Sequence, residues 1–260
     1  MWKAITAALL AVLVQGCTAA RPTPPHAPRD LPTAAQLLAG LDHRRAELHG
    51  VRAMSRLRYS SPNGTENARN ALAVQRPDRL RIEVLSVLGS MFVLTSGDGV
   101  FSAYVPREST VYRGTASPTN LAPYLPVGIS VPVIVDHLLA TPSLGAEVPS
   151  VVEWDEGRIR LTQADADGTR TVWFRDVETP SNYRETDPDG RTTFEVSYAE
   201  VDDSTPVPLP RRVTVRLPLT NESVEITMRD PEINPSFSAG YFFMNAPAEA
   251  RQVDLDAAQF

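Results

Sequence analysis

A two-residue hydrophobic rhythm constrains this chain more than any other feature. Val51, Ala53, Ser55, Leu57 and Tyr59 alternate with Arg52, Met54, Arg56 and Arg58. The rhythm returns where Phe194, Val196 and Tyr198 bracket Glu195 and Ser197, and where Val224, Ile226 and Met228 bracket Glu225 and Thr227. Successive side chains of a strand point to opposite faces, so each run specifies a strand with one dry face and one wet face. Further runs lie around Leu72 and Val74, on both sides of Gly89, and through Phe101, Ala103 and Val105. Others cover residues 151–154, 158–163, 170–175, 183–186, 192–201, 212–217 and 223–229. Asn63-Gly64, Gly97-Asp98-Gly99 and Asp167-Gly168 supply turns between them.

Two stretches break the rhythm. Thr33 can cap a helix carrying Leu37, Leu38, Leu41 and Leu48 on one side, with His43, Arg44, Arg45 and Glu47 toward water and Gly50 as its stop. Residues 117–142 are apolar and proline-rich without alternation. They predict two short helices, near 119–124 and 132–140, greasy on more than one face and therefore covering something. The expected fold is mainly β (α+β): a curled antiparallel half-barrel of about eleven strands, with a helical lid over its open side.

Composition narrows the chemistry. The 260 residues are 42% hydrophobic and carry a net charge of −6 with no basic block, which argues against a nucleic-acid partner. His26, His43, His49 and His137 lack the spacing of a zinc site, with His43 and His49 expected on one helix but on different faces. They read as ordinary surface or lid histidines. No G-x-S-x-G elbow is present, and Asp155, Glu156, Asp165, Asp167, Asp187 and Asp189 fall in turn sequences. The expectation is a chain without catalytic residues, metal or cofactor, acting as a monomer rather than as an enzyme.

The N-terminus reads as an address. Lys3 precedes an apolar run over residues 4–14, too short to span a bilayer, and the run ends at Gly16-Cys17, the single cysteine. This resembles the lipobox of bacterial lipoproteins, in which the cysteine sulfur is lipidated and the segment before it removed. It implies a signal peptide over 1–16, a lipidated proline-rich tether over 17–32, and one domain over 33–260. Buried acyl chains contribute about 0.8 kcal/mol per CH2, so several together hold firmly. Thr18 stands where an aspartate would imply retention at the inner membrane. By the same resemblance the chain is expected at the outer membrane, lipid-anchored and facing the periplasm.

The order of these segments resembles the LolA/LolB superfamily, and most closely its outer-membrane receptor branch, LolB. The residues carrying the resemblance are "RLRIEVLSVLGSMFVLTS", "LPVGISVPVIVDHLLATP" and "VTVRLPLTNESVEITM". It implies an outer-membrane receptor that takes lipoprotein acyl chains, palmitate among them, from a periplasmic LolA-like carrier, holds them in an apolar hollow, and inserts the cargo into the membrane. The alternatives are a binder of other lipids or envelope polymers, and a structural envelope lipoprotein without transfer activity. The first motif places Leu88, with Val87 beside it, at the protruding hairpin tip that the family uses for membrane insertion, with Ser86-Val87 in place of the family's Asn-Pro. The competing reading packs Leu85, Val87 and Leu88 under the lid. Leu80, Ile82, Val84, Val93, Leu121, Leu125, Ile134 and Leu138 are the candidates for lining the hollow, each equally able to be plain core. Phe237, Tyr241, Phe242 and Phe243 are expected to plug one end of it. The residues after Pro247 are expected to form a last short strand or a loose tail.

Overall fold

The computed structural model describes residues 29–125 and 128–257. The expected signal segment, Cys17 and the expected tether as far as residue 28 lie outside the described residues. The capping box is present: Thr33 Oγ1 accepts from the Gln36 amide, and the Gln36 side chain accepts from the Thr33 amide. The helix it opens, α1, covers Ala34–Glu47 and ends at Leu48, so His49 lies beyond it rather than on the same helix as His43. Gly50 is not its stop but the first residue of a strand. A side chain there would meet the Val74 carbonyl oxygen at 2.5 Å, so only glycine lets the two backbones approach.

Among the described residues fourteen strands follow, a few more than the expected eleven or so. They are β1 (Gly50–Ser61), β2 (Gly64–Gln75), β3 (Arg79–Ser86), β4 (Gly89–Gly97), β5 (Val100–Val105), β6 (Thr110–Thr115), β7 (Ser150–Asp155), β8 (Arg158–Asp165), β9 (Gly168–Phe174), β10 (Pro180–Thr186), β11 (Thr192–Asp202), β12 (Leu209–Leu217), β13 (Glu222–Ile233) and β14 (Arg251–Asp254). The alternation rule passes over β6, because Thr110 and Val111 are both buried and no clean two-residue pattern survives. Among the described residues two α-helices interrupt the strands, α2 (Pro118–Leu121) and α3 (Val131–Leu138), matching the apolar break.

All fourteen strands form one sheet in the order β14-β6-β5-β4-β3-β2-β1-β13-β12-β11-β10-β9-β8-β7. Two antiparallel meanders, β1–β6 and β7–β13, join where β1 pairs with β13. β14 adds to β6 in parallel. The sheet is open, with β14 and β7 as its edges, and is not a closed barrel. The helices pack against one face of it. Val131, Val135, Leu138 and Leu139 share a single core with side chains from β1 to β5, β12 and β13. Leu37 and Leu41 of α1 share another with β8 to β12.

Arg44 lies on the same stripe of α1 as Leu37 and Leu41 and is only 1% exposed, not turned to water. Its Nε donates to the Ala140 carbonyl at 2.9 Å and its Nη2 to that of Leu139 at 3.3 Å. Burial lowers its pKa to about 10, still protonated at neutral pH. Arg76 holds the other side of this junction, donating to the Leu48 carbonyl, the Asp136 carboxylate and the Thr141 hydroxyl. The two arginines thus clamp the C-terminal end of α3 to α1 and to the β2–β3 turn.

Candidate functional site

Register decides where this interior is solid and where it is hollow. On the concave face, paired positions of β1 and β2 run from Tyr59–Glu66 through Leu57–Ala68, Ser55–Asn70 and Ala53–Leu72 to Val51–Val74. Val51, Ala53, Leu72 and Val74 are buried against α3, so this end is closed. Toward the β1–β2 turn the helices no longer reach the sheet. A cavity of about 380 Å³ opens there, within the range of small-molecule sites. Leu57, Ala68, Ile82, Val84 and Phe92 form one wall, and Val213, Val215, Val224 and Ile226 the facing wall. Tyr124, Leu125, Ile129, Ile134 and Leu138 form the lid, and Tyr59 and Glu66 the lip.

Five of the eight predicted lining residues are therefore in the wall or lid: Ile82, Val84, Leu125, Ile134 and Leu138. Three are not. Leu80 pairs with Ser96 and Val74, one inward-facing position further from the mouth than Ile82, and is packed solid. Leu121 is fully buried in the same core beneath the lid. Val93 follows Phe92 and precedes Leu94, both inward, so the pleat turns it to the opposite face, although it is itself buried. The missed lining residues, such as Val213, Val215 and Val224, belong to strands far along the chain, and nothing local marks them as facing Val84.

The aromatic segment does not plug the hollow. Phe237, Tyr241 and Phe242 pack on one another in tilted and edge-to-face arrangements with centroids 4.8–5.3 Å apart, and the Arg81 guanidinium lies over Tyr241. Arg81 alternates with the inward Leu80 and Ile82, so this cluster covers the convex face, while Phe243 is exposed.

Two polar pairs interrupt the greasy interior. Ser55 donates to the Asn70 side-chain oxygen on the concave face of β1 and β2, and among the described residues Asn70 Nδ2 has no hydrogen-bond partner. His137, near the end of α3, is 4% exposed and borders the cavity, so it is a buried lid histidine and not a surface one. Its Nδ1 lies 2.6 Å from the Tyr198 hydroxyl, and its ring packs against Tyr183 and Phe194. Burial pushes its pKa down to about 3 and raises that of Tyr198 well above the usual phenol value, so the pair is neutral.

The hairpin turn between β3 and β4 is also placed. Val87 and Leu88 are 92% and 96% exposed, and Gly89 takes a positive φ of 116°. The Ser86 hydroxyl accepts from the Leu88 amide and donates to the Gly89 carbonyl, fixing the turn. Leu85 is half-buried and pairs with Arg69 on β2. This turn stands at the same end of the sheet as the cavity mouth, because β1 and β3 run in the same direction.

The chain matches no family model and no curated protein sequence. Solved structures do resemble it. A putative outer membrane lipoprotein-sorting protein domain from Vibrio parahaemolyticus aligns over 81% of this chain and 97% of its own, at 14% identity and a TM-score of 0.57. A LolA superfamily protein from Nitrosomonas europaea aligns over 82% and 99%, at 13% identity and 0.57. A DUF1329 family protein from Desulfovibrio piger aligns over 82% and 98%, at 13% identity and 0.58. At that identity the likeness is one of architecture: this chain shares its fold with these three proteins.

Proposed function

We propose that this protein is a non-catalytic outer-membrane receptor that holds lipoprotein acyl chains in its hollow and delivers them to the membrane. A lipid on Cys17 would tether it, and a periplasmic LolA-like carrier would supply the cargo. The carrying observation is the apolar cavity that the chain's own side chains leave open beneath α3, with its mouth beside the Val87-Leu88 turn. Each CH2 moved from water into such a space gains about 0.8 kcal/mol, so a wall of Leu, Ile, Val and Phe retains a fatty tail without reading its identity. One leucine entering a bilayer gains roughly 1.5–3 kcal/mol, too little to anchor the protein but enough to bring the mouth of an already tethered domain to the surface.

The test separates holding from delivery. The wild-type chain should bind a fluorescent fatty-acid probe, and a lipoprotein should compete with it. Leu88→Glu should leave probe affinity within about twofold, because residue 88 is outside the hollow. It should cut transfer of a bound lipoprotein to vesicles at least tenfold, since a carboxylate resists leaving water. A wild-type chain that leaves the probe dark overturns the acyl-holding role, and a Leu88→Glu variant that transfers normally overturns the role of the tip.

A further inference from the structure

The turns at the mouth end of the sheet fall into two electrostatic classes. Strand direction puts six turns there. Three edge the hollow: Ser61-Pro62-Asn63-Gly64, Ser86-Val87-Leu88-Gly89 and Pro218-Leu219-Thr220-Asn221. In a chain that is 22% charged, none of these positions carries a charge. The three turns further from the mouth are charged: Asp165-Ala166-Asp167-Gly168, Asp187-Pro188-Asp189-Gly190-Arg191 and Pro106-Arg107-Glu108.

Within the uncharged group, the β12–β13 turn carries Leu219, 62% exposed. The turn is built rather than loose. The Thr220 amide donates to the Leu217 carbonyl at 3.2 Å and the Asn221 amide to that of Pro218 at 3.4 Å. Glu222 at its base accepts from the Thr220 and Tyr59 hydroxyls. A single exposed leucine is ordinary on a protein surface. Leu219 differs by its position: in the strand order β4-β3-β2-β1-β13-β12 it lies across the β1–β2 turn from Leu88. At about 4.8 Å per strand the two are roughly 20 Å apart along the sheet.

We propose that the β12–β13 turn is a second membrane contact, so that Leu219 and Val87-Leu88 seat the mouth on a lipid bilayer from both sides. The proposal rests on the reading above that the Val87-Leu88 tip meets membrane. One apolar point lets the body pivot, whereas two fix an axis and turn the mouth toward the lipid. No charge lies in the β1–β2 turn between them, so it can approach the headgroups with the nearest carboxylate, Glu66 on the lip, set two residues back, while the outer aspartates stay hydrated. A bilayer suits isolated apolar points separated by polar turns. A stable protein partner needs a contiguous packed patch of about 800 Å² per side.

The experiment uses the full chain carrying Cys17→Ser, with one new cysteine labelled by an environment-sensitive fluorophore: Leu88→Cys, Leu219→Cys or Asp189→Cys. With phosphatidylethanolamine–phosphatidylglycerol vesicles, labels at 88 and 219 should shift to the blue and become shielded from aqueous iodide, and the label at 189 should not. In the unlabelled chain, Leu219→Asp should weaken vesicle partition about tenfold or more while leaving fatty-acid probe affinity unchanged. If the label at 219 stays as quenchable as that at 189 while the label at 88 is shielded, the second contact is wrong and the single tip stands. If neither 88 nor 219 is shielded, the membrane role of the whole mouth end fails.

Discussion

His137 shows how much one side chain changes character on burial. Beside Asp136 in sequence it reads as an ordinary lid residue, yet its imidazole is enclosed by Tyr183, Phe194 and Tyr198. Tyr198 stays protonated and can donate to Nδ1, which places the imidazole proton on Nε2. The opposite tautomer would strand the phenol hydrogen in a buried site as well. An unfolded chain takes up a proton at this residue below about 6.5, whereas the folded chain refuses it until about 3. Between those values the unfolded state holds more protons, so stability falls as pH falls, by up to about 1.4 kcal/mol per pH unit. Urea titrations from pH 6.5 to pH 4.5 should therefore show a declining midpoint. The double variant His137→Phe with Tyr198→Phe, which removes both polar partners while keeping their shape, should show a shallower decline.

At the scale of elements, the lid helix and the hairpin wall divide the interior into a packed end and an open end. The division follows from α3 being only eight residues long, against twelve in β1 and β2. Helix rise is about 1.5 Å per residue and strand rise about 3.3 Å, so the strands run well past the helix and their last inward positions have nothing to pack on. Ala68 sits at one of those positions, opposite Leu57. Ala68→Phe should fill the hollow rather than strain the packed end. Probe affinity should fall more than tenfold, and the melting temperature should move by no more than a few degrees, measured by fluorescence titration and calorimetry.

At the scale of the whole molecule, a fourteen-stranded open sheet must manage its edges. β14 covers β6, and Asp256 beyond it accepts from the Thr115 amide and the Asn120 side chain, both at 2.8 Å, tying the end of the sheet to the start of α2. These hydrogen bonds hold the Asp256 carboxyl below the usual carboxylate range. Truncation after Ala250 would bare the β6 edge, a row of unpaired amides and carbonyls ready to add another strand. The truncated chain should associate at micromolar concentration in light scattering under conditions where the full chain does not.

Much of this was legible in the residues. The two-residue rhythm marks most of the strands, Thr33 marks the start of α1, and the proline-rich apolar break marks the lid, because each depends on neighbours within a few positions. A hairpin turn carrying Val87 and Leu88 was legible too, but the residues allowed it either to protrude or to pack under the lid, and its exposure was decided by the structure. By itself, then, the sequence determined a β-rich chain with a helical cover and a greasy turn. Tertiary structure alone decided that Val93 faces away from the hollow while Phe92 faces in, that Leu80 is solid core while Ile82 is wall, and that Arg44 is a buried clamp. It also decided that the late aromatics cover the convex face, and that β12 and β13 supply the facing wall through the β1–β13 pairing. Local order records which side chains share a face. Which face is inside, and how far along it the cover extends, is fixed only when segments distant in the chain set their register against one another.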